Sequence, residues 1–196
     1  MEKNNLYYYG PKVWLLIHKY ALQNNKSPIS KIYFSKMISD ILQLFPCIIC
    51  QKHFADVLKK YPLVNEQNIF FWSFKIHNEV NIAQKKITSP CLSSCEKLYA
   101  SISRNELIKT LFDVTFTFVS TDVSGEIIKK FLKNIAELNE DEIKKNILYL
   151  ISIHYNSNIS TFNWVFKIYN EMCNRFNIND RLDRQTCLSF FEIKTF

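Results

Sequence analysis

The chain has 196 residues, of which 47% are hydrophobic, so it can bury a substantial core in one or two domains. It contains only 2 Gly and 5 Pro, which argues against a many-turned β-sandwich or barrel and predicts an all-α protein. Its net charge of +7 is spread over nearly every segment rather than gathered in a basic stripe, which argues against a nucleic-acid-binding protein.

The sequence also limits where the protein works. No run of eighteen apolar residues occurs, and the first six residues, Met1-Glu2-Lys3-Asn4-Asn5-Leu6, lack the apolar core of a signal peptide. We therefore expect a soluble, intracellular and cytoplasmic protein that does not enter membranes. In that compartment disulfides tend to be catalytic or redox-sensing, so the 6 cysteines favour chemistry over structural cross-links.

The first predicted helix opens at Gly10-Pro11 and runs to about Asn24. Gly10, Trp14 and His18 recur at intervals of four and share one face, where the glycine leaves room for a flat molecule beside the two rings. The alternative is that Trp14 and His18 are core residues, which is the more common role of such an apolar stripe. A second helix, about Ser30 to Leu44, supplies apolar packing.

A CxxC sequence, Cys47-Ile48-Ile49-Cys50, opens the third predicted helix, which ends at Tyr61-Pro62. Two thiols at this spacing can close a disulfide, and the N–H groups of a helix start favour the thiolate of the first cysteine. Cys47 is therefore the better placed nucleophile, and we expect His53 to face outward. A CxxC pair can equally serve a zinc site or a structural disulfide.

A fourth helix is predicted from about Glu66 and carries a polar patch on an otherwise aromatic segment. His77 and Asn81 are one helical turn apart, with Asn78 beside them. Polar groups in such surroundings need partners, which are either other side chains and water or the polar edges of a bound aromatic cofactor.

These segments together resemble the Erv/ALR family of FAD-linked sulfhydryl oxidases. The resemblance covers residues 8 to about 100 and rests on three segments in the family's order: Gly10-x-x-x-Trp14-x-x-x-His18, Phe45-Pro46-Cys47-x-x-Cys50 and His77-Asn78-Glu79-Val80-Asn81. It implies a four-helix bundle plus a short fifth helix that binds FAD, and often a homodimer. Residues 1–102 would form this oxidase domain.

The resemblance also implies roles for single residues. Cys47 and Cys50 would be the catalytic pair next to the flavin. The implied cofactor-binding residues are Gly10, Trp14 and His18 at the flavin, His77, Asn78, Val80 and Asn81 around the adenine and ribose, Lys86 near the phosphates, and Tyr99 in place of a customary aromatic residue. No metal is implied.

Two departures from the family pattern occur after the fourth helix. The family's second disulfide would involve Cys91, but its partner position holds Phe74. A Leu-Gly pair expected before Lys86 is Gln84-Lys85 in this chain. We expect these differences to affect the rim of the cofactor pocket rather than its centre.

Residues 103–196 lie beyond the resemblance and are expected to form a second helical unit of unknown role. Apolar spacing predicts four helices in it, and the sequence shows neither a catalytic cluster nor an internal repeat. We expect the lone His154 to cap a helix or lie on the surface. Larger viral oxidases of this type carry C-terminal extensions, which suggests a viral source and action in the host cytoplasm. The four predicted helices are Asn105–Val119, Gly125–Leu138, Glu140–His154 and Thr161–Phe176.

The expected activity is disulfide formation in protein dithiols or a thioredoxin-like substrate. A substrate thiol would attack Cys47, Cys50 would be released toward the flavin, and the electrons would pass to oxygen to give hydrogen peroxide. The alternative is a zinc-stabilised interaction module with a four-cysteine site. Its ligands would be Cys47, Cys50, Cys91 and Cys95.

The remaining cysteines are predicted as one pair and two free thiols. Cys91 and Cys95 are four residues apart, a separation that brings Cα atoms to about 6 Å on a helix and so permits a disulfide. Cys173 shares an apolar stripe and is expected to be buried. Cys187 follows a polar stretch and is expected to be exposed.

Overall fold

The structure is a computed structural model that describes residues 3–25, 27–88, 91–119 and 124–192. These residues form α-helices and one 3-10 turn at Leu63–Asn65, and no strand occurs among them, so the all-α prediction is confirmed. The helices are α1 Lys3–Gln23, α2 Pro28–Leu44, α3 Ile48–Lys60, α4 Ile69–Ala83, α5 Leu92–Ala100, α6 Arg104–Val119, α7 Gly125–Ala136, α8 Asp141–His154, α9 Thr161–Arg175 and α10 Arg184–Glu192.

The start of the first helix differs from the prediction. α1 begins at Lys3, so Pro11 lies inside the helix rather than at its opening. A proline removes one backbone hydrogen bond but has a helical φ, and α1 continues through it. By contrast, Pro28 stands at the start of α2, where Ser27 caps the helix by accepting a hydrogen bond from the Ser30 N–H.

The first five helices are arranged around α1. It packs against α2, α4 and α5, and α3 packs against α2 and α4. The last five helices have the same arrangement around α6, which packs against α7, α9 and α10, while α8 packs against α7 and α9. The chain therefore uses one pattern of helix packing twice, although no repeat is visible in its sequence.

In this repeated pattern α6 corresponds to α1 and α7 corresponds to α2. The two halves are joined by contacts between these corresponding helices, since α1 packs against α6 and α2 packs against α7. The buried apolar residues form one continuous core across both halves. At the α2–α7 contact the buried Asp40 accepts a 2.5 Å hydrogen bond from the Asn134 amide, and Lys130 Nζ lies 3.0 Å from its other oxygen. The domain boundary near residue 102 stays a prediction.

The C-terminal helices agree with the predicted ones within two residues, except that α10 was missed. α10 starts after Asp183, whose carboxylate accepts a 2.7 Å hydrogen bond from the Thr186 N–H as an N-cap does. Cys187 is on this helix and is buried, so its predicted exposure is wrong. The predicted burial of Cys173 is confirmed, and both are free thiols.

Candidate active site

The CxxC sequence forms a disulfide at the start of α3. Pro46 separates α2 from α3, and Cys47 is the extended N-cap residue, whose Sγ accepts a 3.2 Å hydrogen bond from the Cys50 N–H. Cys47 and Cys50 are bonded to each other, with their Cα atoms 5.2 Å apart. The free N–H groups of the first helical turn stabilise negative charge on Cys47 whenever the disulfide opens.

A cavity of about 310 Å³ lies beside this disulfide, bounded by side chains from α1, α3, α4 and α5 and the segment after α4. Cys50 is on its wall, whereas Cys47 is not among the residues that line it. The predicted cofactor-binding residues that line it are Gly10, Trp14, His77, Val80, Asn81, Lys86 and Tyr99.

Trp14 provides a flat aromatic surface in this cavity. Its indole stacks on the His77 ring at a centroid distance of 4.0 Å and an interplanar angle of 8°. The Phe54 ring packs edge-on against the same indole, at a centroid distance of 5.8 Å and an interplanar angle of 86°. Trp14 and His77 are thus held in a fixed orientation by α3 as well as by each other.

His18 lies behind the wall rather than on it. It is buried, its Nε2 is 2.8 Å from His77 Nδ1, and its Nδ1 is 2.9 Å from the Ser73 hydroxyl. Burial, with a smaller effect of His77, lowers the pKa of His18 to about 3. Burial and the nearby Lys86 lower the pKa of His77 to about 4, so both rings are neutral near pH 7.

Helix α5 closes the cavity on one side. The Tyr99 ring packs against His18 at a centroid distance of 4.6 Å. Lys19 Nζ donates at 3.0 Å to the carbonyl of Tyr99, in the last turn of α5, and at 2.8 Å to the carbonyl of Ile102, just beyond this helix. The lysine thereby fixes α5 to α1.

The segment that replaces the expected Leu-Gly pair ends α4. Lys85 adopts a left-handed φ of 55°, and the Lys86 N–H donates to the Asn81 carbonyl at 2.8 Å. This is a Schellman ending, in which glycine is the usual residue at the left-handed position. The backbone therefore keeps the turn that a glycine would favour, and it places Lys86 at the cavity.

Comparison with known proteins agrees with this geometry. The model of the Erv1 / Alr family matches residues 11–101. A protein of African swine fever virus named "FAD-linked sulfhydryl oxidase" is 30% identical over 108 residues, which are 53% of this chain and 87% of that protein. The chain belongs to the Erv1/Alr family. The predicted family is confirmed.

Two further relatives match the chain over a shorter stretch. "FAD-linked sulfhydryl oxidase ERV1" of rice is 31% identical over 86 residues, 42% of this chain and 44% of that protein. "Probable FAD-linked sulfhydryl oxidase R368" of Acanthamoeba polyphaga mimivirus is 31% identical over 86 residues, 39% of this chain and 60% of that protein. No solved structure matches the chain.

Two parts of the Erv1/Alr site differ from what the sequence suggests. Asn78 is not among the residues lining the cavity, whereas its neighbour His77 is. His53 is exposed as expected but borders the cavity, three residues after Cys50. A spacing of three places two side chains on one helical face, so this spacing was the available signal. The wall residues that the motifs did not identify include Pro11, Val13, His53, Phe54 and Gln84.

The predicted Cys91–Cys95 disulfide is wrong, since both residues are free thiols. The prediction placed them on one helix, but Cys91 is the extended N-cap of α5, with φ −153°, and only Cys95 is helical. The Cys91 thiol is exposed and lies 2.9 Å from the Ser93 hydroxyl, while Cys95 packs against the core. Pro90, which precedes them, lies outside the described residues.

The four-cysteine zinc site of the alternative reading is not formed. Cys47 and Cys50 are bonded to each other, and the described part of the chain contains no group of three or more His, Cys, Asp or Glu residues that could hold a metal ion. None of the described helices has the length and apolar character needed to cross a bilayer.

Proposed function

We propose that this protein is an FAD-linked sulfhydryl oxidase, in which the Cys47–Cys50 disulfide accepts an electron pair from a protein dithiol. The observation that carries the proposal is the position of Cys50, on the wall of the cavity that also contains the Trp14–His77 stack. The names of the viral and plant relatives support the same activity.

The residues of the cavity fit a flat cofactor. Gly10 borders the cavity, and a Cβ built on it would meet no atom within 4 Å, so the space that a side chain would fill is open. Trp14 offers its aromatic surface for stacking, and Lys86 offers a positive charge for the phosphates. We assign FAD binding to these three residues together with His77, Val80, Asn81 and Tyr99, while His18 supports the site from behind.

The dithiol reaction follows from the different positions of the two cysteines. A substrate thiolate attacks Cys47 Sγ, the Cys47–Cys50 bond breaks, and Cys50 leaves as a thiolate toward the cavity. The second substrate thiol, after losing its proton, attacks the mixed disulfide and releases Cys47 as a thiolate. The substrate is then a disulfide, and the protein holds the electron pair as two thiolates.

Bound FAD supplies a two-electron acceptor next to Cys50, with molecular oxygen as the final acceptor and hydrogen peroxide as the product. The N–H groups at the start of α3 stabilise Cys47 as a leaving thiolate, because a lower thiol pKa makes a better leaving group. Trp14 and Phe54 line the same cavity as Cys50 and give it apolar surroundings. The protein substrate, a thioredoxin-like protein or another dithiol, and a homodimeric state are further parts of this proposal.

Variants of the two cysteines test the proposal. Denatured wild-type protein is expected to release FAD. The Cys47→Ser variant is expected to show a long-wavelength charge-transfer band, because it leaves an unpaired Cys50 thiolate next to the flavin. The Cys50→Ser variant is expected to show no such band. Turnover with dithiothreitol, measured as peroxide formation, should fall in both by about 10³-fold or more.

Cys91→Ser is the matched control, since this thiol is exposed and outside the cavity wall, and it should keep wild-type turnover with dithiothreitol. Protein that neither contains nor takes up flavin would contradict the oxidase itself. Equal spectra from the Cys47 and Cys50 variants would contradict only their assigned roles.

A further inference from the structure

A chain of short hydrogen bonds runs behind the cavity wall. The Ser73 hydroxyl is 2.8 Å from the Phe70 carbonyl oxygen and 2.9 Å from His18 Nδ1. His18 Nε2 is in turn 2.8 Å from His77 Nδ1. Ser73 and His18 are buried, and His77 reaches the cavity. The chain therefore connects a backbone carbonyl of α4 to a cavity-lining ring.

The position of each proton follows from the end of this chain. A carbonyl oxygen only accepts hydrogen bonds, so the Ser73 hydroxyl donates to Phe70, and the Ser73 oxygen must accept from His18 Nδ1–H. A neutral imidazole carries one N–H, which leaves His18 Nε2 as an acceptor. It accepts from His77 Nδ1–H, and His77 Nε2 is consequently without a proton.

In the opposite arrangement, each group would donate its hydrogen bond toward the cavity, beginning at Ser73. Ser73 would then donate to His18, and the Ser73 and Phe70 oxygens would remain 2.8 Å apart with no proton between them. Two acceptor oxygens at that distance repel each other. The low pKa values of His18 and His77, about 3 and 4, exclude a second proton on either ring near pH 7.

We propose that Ser73 is a positioning residue that fixes the tautomers of His18 and His77, so that His77 offers Nε2 to the cofactor as a hydrogen-bond acceptor. The described residues form no hydrogen bond with this nitrogen, and the Trp14 stack holds the ring plane. Its ligand is thus an N–H or O–H donor, which in FAD is a ring imide, an amino group or a sugar hydroxyl. The identity of the ligand rests on the proposed function, but the proton order does not.

Histidine nitrogen resonances test the proton order directly. The protein has 4 histidines, so ¹⁵N-histidine-labelled protein as purified, with His53→Gln and His154→Gln variants for assignment, resolves the two of interest. At pH 7 we expect both His18 and His77 to carry the proton on Nδ1 and to have an unprotonated Nε2. A proton on Nε2 of either residue would overturn the proposal.

The variant Ser73→Ala removes the hydroxyl that starts the chain. We expect the proton of His18 to move to Nε2 and that of His77 to follow, which replaces the acceptor in the cavity by a donor. The dissociation constant of FAD, measured by fluorescence titration of flavin-depleted protein, should rise at least tenfold. The rate at which dithiothreitol reduces the Cys47–Cys50 disulfide, measured by alkylation and mass spectrometry, should be unchanged.

Thr115→Ala is the matched control, since the Thr115 hydroxyl is also buried and donates to a carbonyl of its own helix, Leu111, at 2.7 Å, but contacts no histidine. It should leave the tautomers and the FAD dissociation constant unchanged. Unchanged tautomers and FAD affinity in Ser73→Ala would overturn the role of Ser73. If the wild type binds no FAD, the proposed function fails, and the wild-type resonances still decide the proton order.

Discussion

The two halves of the chain pack their helices in the same pairs. The side chains at the corresponding contacts within each half are nevertheless different. Where α1 meets α4, Trp14 and His18 face His77 beside the cavity. Where α6 meets α9, Phe116 packs against Phe162 at 5.7 Å and Tyr169 at 5.6 Å, all of them buried. The helix arrangement is therefore not itself a site, because the side chains at one helix contact decide whether it holds a ligand.

Cysteines show the same contrast. In the first half Cys50 lines the cavity, and hydrogen bonds from Ser93 and Ser94 lower the pKa of the exposed Cys91 to about 7. In the second half burial raises the pKa of Cys187 to about 12 and raises that of Cys173. One half therefore exposes thiol chemistry to solvent and the other suppresses it.

The largest effect expected from this contrast is in thiol reactivity. At pH 7 about half of Cys91 is thiolate, against a fraction of about 10⁻⁵ for Cys187, so iodoacetamide should label Cys91 more than about 10³-fold faster. The rate at Cys91 should fall as the pH drops below 7, since protonation removes the nucleophile. Time-resolved peptide mass spectrometry of non-reduced protein measures both.

The Cys91→Ser variant should lose the rapid iodoacetamide labelling and keep the slow labelling of the buried thiols, which identifies Cys91 as the rapidly labelled residue. The buried thiols should react quickly only after denaturation. Labelling of Cys187 as fast as Cys91 in native protein would remove the contrast between the halves.

An aromatic pair of variants gives the next largest effect. Phe116→Ala leaves a void in the second half and should lower the free energy of unfolding by about 3–5 kcal/mol. Trp14→Ala should cost about 1–2 kcal/mol, because part of its surface already faces the cavity. It should instead weaken FAD binding at least tenfold, whereas Phe116→Ala should not.

Urea unfolding followed by circular dichroism and FAD titration separate these outcomes. If Trp14→Ala were the more destabilising variant and still bound FAD normally, Trp14 would be a core residue, and the distinction between the two helix contacts would be wrong.

The smallest effect concerns the ends of α4 and α9, which are alike. Lys85 and Asn177 both have left-handed backbones, with φ of 55° and 53°. Lys85→Gly should stabilise the protein by about 1 kcal/mol because glycine adopts this conformation without strain. Asn177→Gly should increase stability by only about a few tenths of a kcal/mol, since Asn tolerates the left-handed conformation better than Lys does. Thermal unfolding of the flavin-free proteins compares them, and a loss of stability in Lys85→Gly would contradict the reading of this turn.

Much of the fold was predictable because apolar spacing and capping residues are local. Helices α6 to α9 follow their apolar pattern closely, and Gly10, Trp14 and Cys50 do meet at one cavity. His53 was accessible to the same reasoning through its spacing from Cys50. The three family segments were sufficient to identify the Erv1/Alr family from the sequence.

What could not be predicted depends on tertiary contacts. α10 is short, begins with the polar residues Arg184-Gln185-Thr186, and packs against α6 with Cys187 buried, which local propensity does not show. Cys91 is an extended N-cap residue whose thiol lies beside the Ser93 hydroxyl, so the bond to Cys95 that the spacing allowed is not formed. The repeated helix arrangement is invisible in the sequence because its two copies place different side chains, such as Trp14 and Phe116, at their central contacts.

The joining of α1 to α6 and of α2 to α7 has the pairing pattern of an isologous interface, in which each element meets its own equivalent in the partner. Here both partners of that pairing belong to one polypeptide. The faces of α1 and α2 that contact α6 and α7 are thus closed to a second molecule, at an effective concentration that no free subunit can match. A homodimer of this protein must associate through another surface.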